Sequence, residues 1–275
     1  MGRAMRTLNA QVIVVTGASE GIGAALAERL GAAGAIPVLV ARRAEALAQA
    51  AARCGPDAQV VVADMTMRVD AERVAQAVLA RHGRVDAWVN NVGQGITRQP
   101  SALTDDDFDA MLRVNVKSAW YGVQAVLPHF EARGAGHLVN VSSVLGRWPM
   151  RSYRSAYSAA KAFLTSLTTD LRAELAERAP GVHVSLVSPG AVRTRFAANA
   201  RHADASGPAF PDAQPVEEVA DVLMQVLAGP GVDVYTRAGM RAAVRAWLDG
   251  ATRDLAPFAS GAPGAGSDTP SSGNA

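Results

Sequence analysis

A chain of 275 residues, 49% hydrophobic and 19% charged, can bury one large α/β core; its net charge is only +2, and its scattered arginines form no basic run or helix face of the kind nucleic-acid binding needs. One cysteine, Cys54, rules out an internal disulfide, and no Cys/His cluster has metal-ligand spacing, so no metal is expected. The apolar run starting at Val12 is too short for a signal-peptide core or a membrane span, and no other segment is long enough, which points to a soluble chain of a reducing compartment, the cytoplasm.

Short β-branched runs then alternate with longer Ala/Leu/Arg stretches of helical period. The runs at 12–15, 36–40, 60–62, 87–89, 137–141 and 182–187 are mostly continuously apolar, which predicts strands buried on both faces of a parallel sheet. The stretches 22–33, 44–53, 69–82, 105–133 and 155–178 predict helices. Alternation of this kind implies right-handed crossovers and a doubly wound α/β fold in one domain. Residues 193–215 carry no firm period, as in a functional lid or a disordered loop. A helix at 216–227, a seventh strand at 232–235 and an Arg-rich amphipathic helix at 238–248 follow. The domain is expected to span 8–258, with a disordered Gly/Pro/Ser tail over 259–275.

The first strand runs into Thr16-Gly17-Ala18-Ser19-Glu20-Gly21-Ile22-Gly23 and then a helix. Glycines at a strand-to-helix turn let backbone approach a phosphate, and the helix N-terminus offers free N–H groups and the positive end of its dipole. Gly17, Gly21 and Gly23 are therefore candidates for holding a dinucleotide pyrophosphate, with Ser19 capping the helix or reaching a phosphate. The second strand ends in Ala41-Arg42-Arg43, with no acidic residue to accept from a ribose 2′-hydroxyl. Arg42, with Arg43 beside it, instead suits a 2′-phosphate, which favours NADP(H) over NAD(H). Glu20 in the turn works against that choice. Asp64, before Met65, either accepts from an adenine amino group or caps the following segment. Asn90-Asn91-Val92-Gly93 ends the fourth strand; its amides can cross-link strands or touch a ribose, and Gly93 allows close approach.

Tyr157 and Lys161 stand four residues apart in a strong helical pattern, so phenol and ammonium share a face. Moving a tyrosine from about 10 towards 7 or 8 takes about 3–4 kcal/mol. One cation at about 4 Å supplies that much at an effective dielectric of about 20, so Lys161 is expected to lower the Tyr157 pKa. The chain holds two lysines, Lys117 and Lys161; arginine does the remaining basic work. Tyr153 has Tyr157, not a lysine, four residues on, and is a candidate for the pocket wall. The fifth strand ends in Ser142-Ser143, of which alternation points one at the cleft, where a hydroxyl can donate to a substrate oxyanion.

Taken in order, TGASEGIG (16–23), NNVG (90–93), Asn115 in a helix, Ser143, YSAAK (157–161) and SPGAVRT (188–194) strongly resemble the short-chain dehydrogenase/reductase family, over about residues 8 to 235. The resemblance implies a Rossmann-type, mostly parallel seven-stranded sheet. It implies a tetrad in which Tyr157 is the acid/base, Lys161 tunes it and holds the nicotinamide ribose, Ser143 polarises the carbonyl, and Asn115 anchors a water linking Lys161 to solvent. It selects Ser143 over Ser142. It also implies cofactor contacts at Gly17, Ser19, Ile22, Arg42, Asp64, Met65, Asn91, Gly93, Pro189, Gly190, Val192 and Thr194, the last near the carboxamide. Two positions depart from the family pattern: Val92 stands where alanine is usual, and Glu20 where NADP-using members often carry a basic residue.

These expectations describe an NADP(H)-dependent oxidoreductase acting on a carbonyl/secondary alcohol pair, a ketoreductase in the reducing direction. The alternative is a non-catalytic NAD(P)-binding redox sensor on the same fold, a class that typically lacks the tyrosine or the lysine. The substrate pocket is expected to draw on Ser143, Gln94, Leu145, Trp148, Met150, Tyr153 and Phe196, a mostly apolar set that favours a hydrophobic ketone over a sugar. The resemblance also implies that the long helices at 105–133 and 155–178 pair with their mates in a homodimer or homotetramer, here through residues such as Met111, Leu112, Phe163 and Leu164. The Arg-rich segment at 237–253 fits a helix covering the cleft or a neighbouring subunit.

Overall fold

The computed structural model describes residues 7–203, 212–229 and 231–251. The tail at 259–275 and part of the 193–215 loop lie outside the described residues. The elements run β1 (Val12–Thr16), α1 (Gly21–Ala32), β2 (Ile36–Ala41), α2 (Ala44–Ala51), β3 (Gln59–Val62), α3 (Arg68–His82), β4 (Ala87–Asn90) and α4 (Asp105–Leu112). A π-helical turn (Arg113–Lys117) follows, then α5 (Ser118–Arg133), β5 (Gly136–Val141), α6 (Ser155–Arg178), β6 (Val182–Ser188), α7 (Val216–Ala228), β7 (Asp233–Tyr235) and α8 (Met240–Ala251).

All seven strands are parallel, in the order β3-β2-β1-β4-β5-β6-β7. Period-two alternation sends Ile13 and Val15 of β1 into one core with α1, α2 and α7, and Val12 and Val14 into the other with α3, α5 and α6. Burial on both faces is why the central strands read as unbroken apolar runs. At the edge, β3 keeps alternation, with Val60 and Val62 exposed.

The single helix expected over 105–133 is interrupted by the π turn. Two of its carbonyls are taken by side chains: the Asn115 amide donates to Met111 O at 3.1 Å and Ser118 Oγ donates to Val114 O at 2.5 Å. Carbonyls occupied in this way open the ladder to a wider turn, a feature frequent near functional sites. A buried polar chain ties the sheet to the helices behind it. Trp88 Nε1 donates to Asn90 Oδ1, Asn90 Nδ2 to Asn140 Oδ1, and Asn140 Nδ2 to Thr168 Oγ1, at 2.8–2.9 Å. Gly122 lets α5 close onto it, since a Cβ there would meet Asn90 Oδ1 at 2.3 Å.

The segment expected to be a lid or disordered is pinned in its described parts. Arg193 N donates to Gln214 O and Gln214 N to Ala191 O. Further along, Arg201 N donates to Gly95 O and Thr97 N to Arg201 O, joining the segment to the loop after β4. Asp107 on α4 underlies that seam. It is fully buried and accepts from Arg201 Nε at 2.6 Å, His202 Nε2 at 2.8 Å, Arg98 Nη1 at 2.8 Å and Thr104 N at 3.2 Å. Burial pushes this carboxyl up, but its bonds to His202, Arg201, Thr104 and Arg98 outweigh that and hold it well below the usual carboxylate range. A depressed folded-state pKa means the contribution is present in full above about pH 4 and is lost progressively as pH falls from there through the folded-state value. Asp107→Asn is expected to cost about 2 kcal/mol in denaturant unfolding at pH 7 and measurably less at pH 3, and to expose the 195–203 segment to limited proteolysis. An equal loss at both pH values would show that the charge is not what holds the seam.

Candidate active site

A cleft of about 900 Å³ opens where the strands end, between the β1–α1 turn and the loops after β4, β5 and β6. The β1–α1 turn forms one end. Gly17 and Gly21 both have positive φ, at 68° and 59°, a backbone conformation that glycine adopts without strain. Glu20 occupies the N-cap in an extended conformation, no side chain caps α1, and its first turn holds no acidic residue. Its N–H groups are thus left for an acceptor outside the helix. Ser19, expected either to cap α1 or to reach a phosphate, makes no cap and lines the cleft, within hydrogen-bond distance of Arg43 Nη2 at 3.3 Å. Gly23, expected to contact cofactor, does not line the cleft; a Cβ there would lie 2.5 Å from Gly17 O and 2.7 Å from Asn91 Nδ2, so its role is close packing of helix on turn.

Ser19, Glu20, Gly21, Ile22, Arg42, Arg43, Asp64, Met65, Asn91 and Gly93 all border the cleft, together with Pro189, Gly190, Val192 and Thr194. Glu20 is compensated: its carboxylate pairs with Arg43 Nη2 at 3.0 Å and accepts from Asn199 Nδ2 at 2.7 Å. Arg42, exposed at the end of β2, makes no such pair among the described residues. Asp64 Oδ1 accepts from Thr66 N and Thr66 Oγ1, closing a turn, while Met67 takes the N-cap of α3. Asn91 Nδ2 donates to Thr16 O at 3.1 Å and Gly17 O at 3.3 Å, which locks the ends of β1 and β4 together. The methyl of Thr194 sits against Gly21, where a Cβ would meet it at 3.3 Å, so Thr194 lies over the glycine turn.

At the other end, α6 presents Tyr157 and Lys161, both almost fully buried yet bordering the cleft. Lys161 Nζ donates to Val141 O at 2.9 Å and lies 5.9 Å from the centre of the Tyr157 ring. The Ser143 hydroxyl acts on the phenol, opposing the rise that burial causes, and accepts from Leu145 N at 3.2 Å. Ser142 has committed its hydroxyl to α6, bonding Lys161 O at 3.1 Å and Thr165 Oγ1 at 2.9 Å. Of the two serines, only Ser143 is aimed at Tyr157. The expected lowering of Tyr157 by Lys161 is not what the protein's own groups produce. Burial pushes the phenol up to about 12, against the opposing pull of the Ser143 bond and the Arg154 charge. Burial likewise pushes Lys161 down to about 8. Desolvation outweighs the Coulombic attraction on which the expectation rested.

Asn115 sits behind the site and does not border the cleft. Its amide donates to Gln94 O at 3.0 Å and to Met111 O, and its Oδ1 accepts from Gln94 N at 3.1 Å. Both donors are spent on backbone, so a relay role is confined to the remaining lone pair of Oδ1. What the contacts show directly is a clamp on the backbone at 93–94. There, a Cβ on Gly93 would stand 3.2 Å from Asn115 Oδ1 and 3.5 Å from Lys161 Nζ.

Gln94, Leu145, Met150 and Phe196 border the cleft as expected, and the Phe196 ring meets Tyr157 at 5.5 Å in an edge-on contact. Tyr153 and Trp148 do not. Tyr153 instead lies under the Arg154 guanidinium, 5.6 Å from ring centre to Cζ. Arg237 and Met240 bring the start of α8 to the rim. The sequence reading missed Arg154, which is buried and borders the cleft one turn before Tyr157, and Asn199, which bridges Glu20 and Gln94. Spacing could have found Arg154, since i and i+3 share a helix face.

The family model for short chain dehydrogenases matches residues 11–205. An uncharacterized oxidoreductase of Staphylococcus epidermidis is 36% identical over 190 residues, which cover 69% of this chain and 81% of that one. Among solved structures, a short-chain dehydrogenase/reductase from Burkholderia phymatum in complex with NAD aligns at a TM-score of 0.81 and 25% identity, over 92% of this chain and 99% of that one. A metagenomic short-chain oxidoreductase in complex with NADP aligns at 0.70 and 32% identity, over 83% and 97%. Fold, family match and relatives agree: this chain belongs to the short-chain dehydrogenase/reductase family of oxidoreductases.

Proposed function

We propose that the chain is an NADP(H)-dependent oxidoreductase that interconverts a carbonyl and a secondary alcohol, with Tyr157 as the acid/base. The observation that carries this reading is the placement of Tyr157, Ser143 and Lys161 at one end of a cleft whose other end is an uncapped glycine-rich helix N-terminus. The cradle fits a dinucleotide: the free first-turn N–H groups of α1 would hold the pyrophosphate, and Lys161 would hold the nicotinamide ribose. When bound, the cofactor supplies or accepts the hydride. The chain's residues handle the rest. Ser143 orients the carbonyl and donates to its oxygen as charge develops. The phenol of Tyr157, held protonated by burial, delivers its proton to that oxygen in reduction. Lys161 then faces a phenolate; at about 6 Å and an effective dielectric of about 20 their attraction is worth about 3 kcal/mol.

Tyr157→Phe is expected to cut carbonyl reduction by about 1,000-fold, within the range for losing a positioned acid. With Lys161 near 8, reduction is expected to be level through neutral pH and to fall as pH rises through about 8, where the ammonium is lost. Both are read from steady-state rates on a ketone panel. Absence of turnover on any carbonyl or alcohol would favour the non-catalytic sensor.

The NADP preference rests on Arg42. Glu20 is neutralised by Arg43, so it does not oppose a 2′-phosphate, and Arg42 is free to meet one. Fluorescence titration is expected to show NADPH binding at least about 10-fold tighter than NADH, with near parity in Arg42→Ala, since one charged contact is worth roughly that factor. Tighter NADH binding would overturn the preference.

We further propose that the enzyme is a cytoplasmic homodimer or homotetramer, joined through α4, α5 and α6. Phe108 and Leu112 on α4 and Phe163 on α6 are exposed, whereas Met111 and Leu164 turn inward, so the contact surface is narrower than the sequence suggested. Light scattering is expected to give at least a dimer for the native chain and a smaller species for Phe163→Glu; a native monomer would remove the proposal.

A further inference from the structure

A buried cation stands at the substrate end of the cleft without a counter-charge among the described residues. Arg154 is 6% exposed and lies at the N-cap of α6, one turn before Tyr157. Nη1 donates to Ile96 O at 2.9 Å, and the guanidinium rests over the Tyr153 ring. No Asp or Glu of the described residues pairs with it; the titratable groups that act on it are the phenols of Tyr153 and Tyr157. Arginine carries five N–H donors, and one bond to a carbonyl leaves the others to be satisfied from the cleft that Arg154 borders. Desolvating a cation without an ion partner is expensive. Arg151 and Arg195, both exposed, border the same cleft, as does Asp212.

Resting on the carbonyl-reductase reading above, we propose that Arg154 is the substrate anchor and that the substrate is a small oxo acid or hydroxy acid whose carboxylate Arg154 binds. The guanidinium is fixed by Ile96 and Tyr153, and a planar fork held in place suits a two-point carboxylate contact. Three residues of helix separate Arg154 from Tyr157, a rise of about 4.5 Å. Guanidinium and phenol thus leave adjacent turns of one helix and border the same cleft, which suits a carbonyl and a carboxylate carried on one small molecule. Phe196, edge-on to Tyr157, forms an apolar wall for a short side chain. The hydrophobic-ketone expectation came from counting the apolar wall and overlooked this charge.

The test uses matched pairs, 2-oxo and 3-oxo acids against their methyl esters, with the native enzyme and NADPH at pH 7. The acid of the preferred pair is expected to exceed its ester by at least about 30-fold in kcat/KM, the factor for a charged two-point contact. Arg154→Gln is expected to bring the acid-to-ester ratio near one, mainly through KM for the acid, over and above any change common to both substrates; Arg154→Lys should give a ratio in between. A merely structural role would lower acid and ester together and lower the melting temperature, and that result overturns the proposal. So does a native enzyme that turns over esters as well as acids. If esters and simple ketones are reduced but acids are not, the anchor fails and the reductase reading stands. If no carbonyl is reduced, the reductase reading fails, and carboxylate binding decides the anchor by itself. The acids' effect on bound NADPH fluorescence then either saturates and is lost in Arg154→Gln, which supports the anchor, or does not, which overturns it.

Discussion

The reversal of strand order beside β1 governs the rest of the molecule. From β1 the chain leaves to the face that holds α1 and α2; from β4, its neighbour, the next helices lie on the opposite face. Two adjacent strands that feed opposite faces leave a crevice between their carboxyl ends, which no loop from either strand fills. Asn91 makes that crevice rigid by bonding the end of β4 to Thr16 and Gly17 at the end of β1. Every group assigned a role here lies on the rim of that crevice or directly behind it.

Around the crevice, polar groups are buried because backbone receives them. Lys161 gives a hydrogen to Val141 O, Asn115 brackets the Gln94 backbone, and Ser142 bonds α6. Each bond recovers part of a desolvation cost that would otherwise neutralise or expose the group. Glycine supplies the remaining room. At Gly93 and Gly23 a side chain would press on Lys161, Asn115 or the Gly17 carbonyl, so these positions answer to packing as much as to ligand. The same burial that positions Tyr157 also raises it, and a phenol held protonated at neutral pH is suited to giving a proton before taking one.

Layer, strand and helix content was legible because parallel strands buried on both faces leave long apolar runs, and α6 (Ser155–Arg178) keeps a clear helical period. The π turn was not legible: it arises where the Asn115 and Ser118 side chains take carbonyls of their own helix, which no periodicity records. Gly23 was placed in the correct turn but taken as a ligand contact, since a glycine that lets a phosphate approach and one that lets a helix pack look alike until the neighbours are known. The Asp107 cluster joins residues 98, 107, 201 and 202, nearly 100 positions apart, and each member reads alone as an ordinary surface charge. Tyr157 and Lys161 were legible as a pair, but the sign of the Tyr157 shift was not, because spacing reports the nearby charge and says nothing of desolvation.

One face of α6 now carries Arg154, Tyr157 and Lys161 at i, i+3 and i+7, two cations either side of one phenol. The two cations do different things. Lys161 is bound to Val141 O and on the proposed mechanism would act once a phenolate exists, while Arg154 already pulls the phenol down in the protein alone. A carboxylate paired with Arg154 would cancel that pull and leave the phenol more firmly protonated. Burial already keeps the phenol proton-bearing at neutral pH, so on the proposed anchoring the pairing changes the strength of the acid and not its protonation state. The same arginine would then bear on both selection of the substrate and the strength of the acid, through one electrostatic contact.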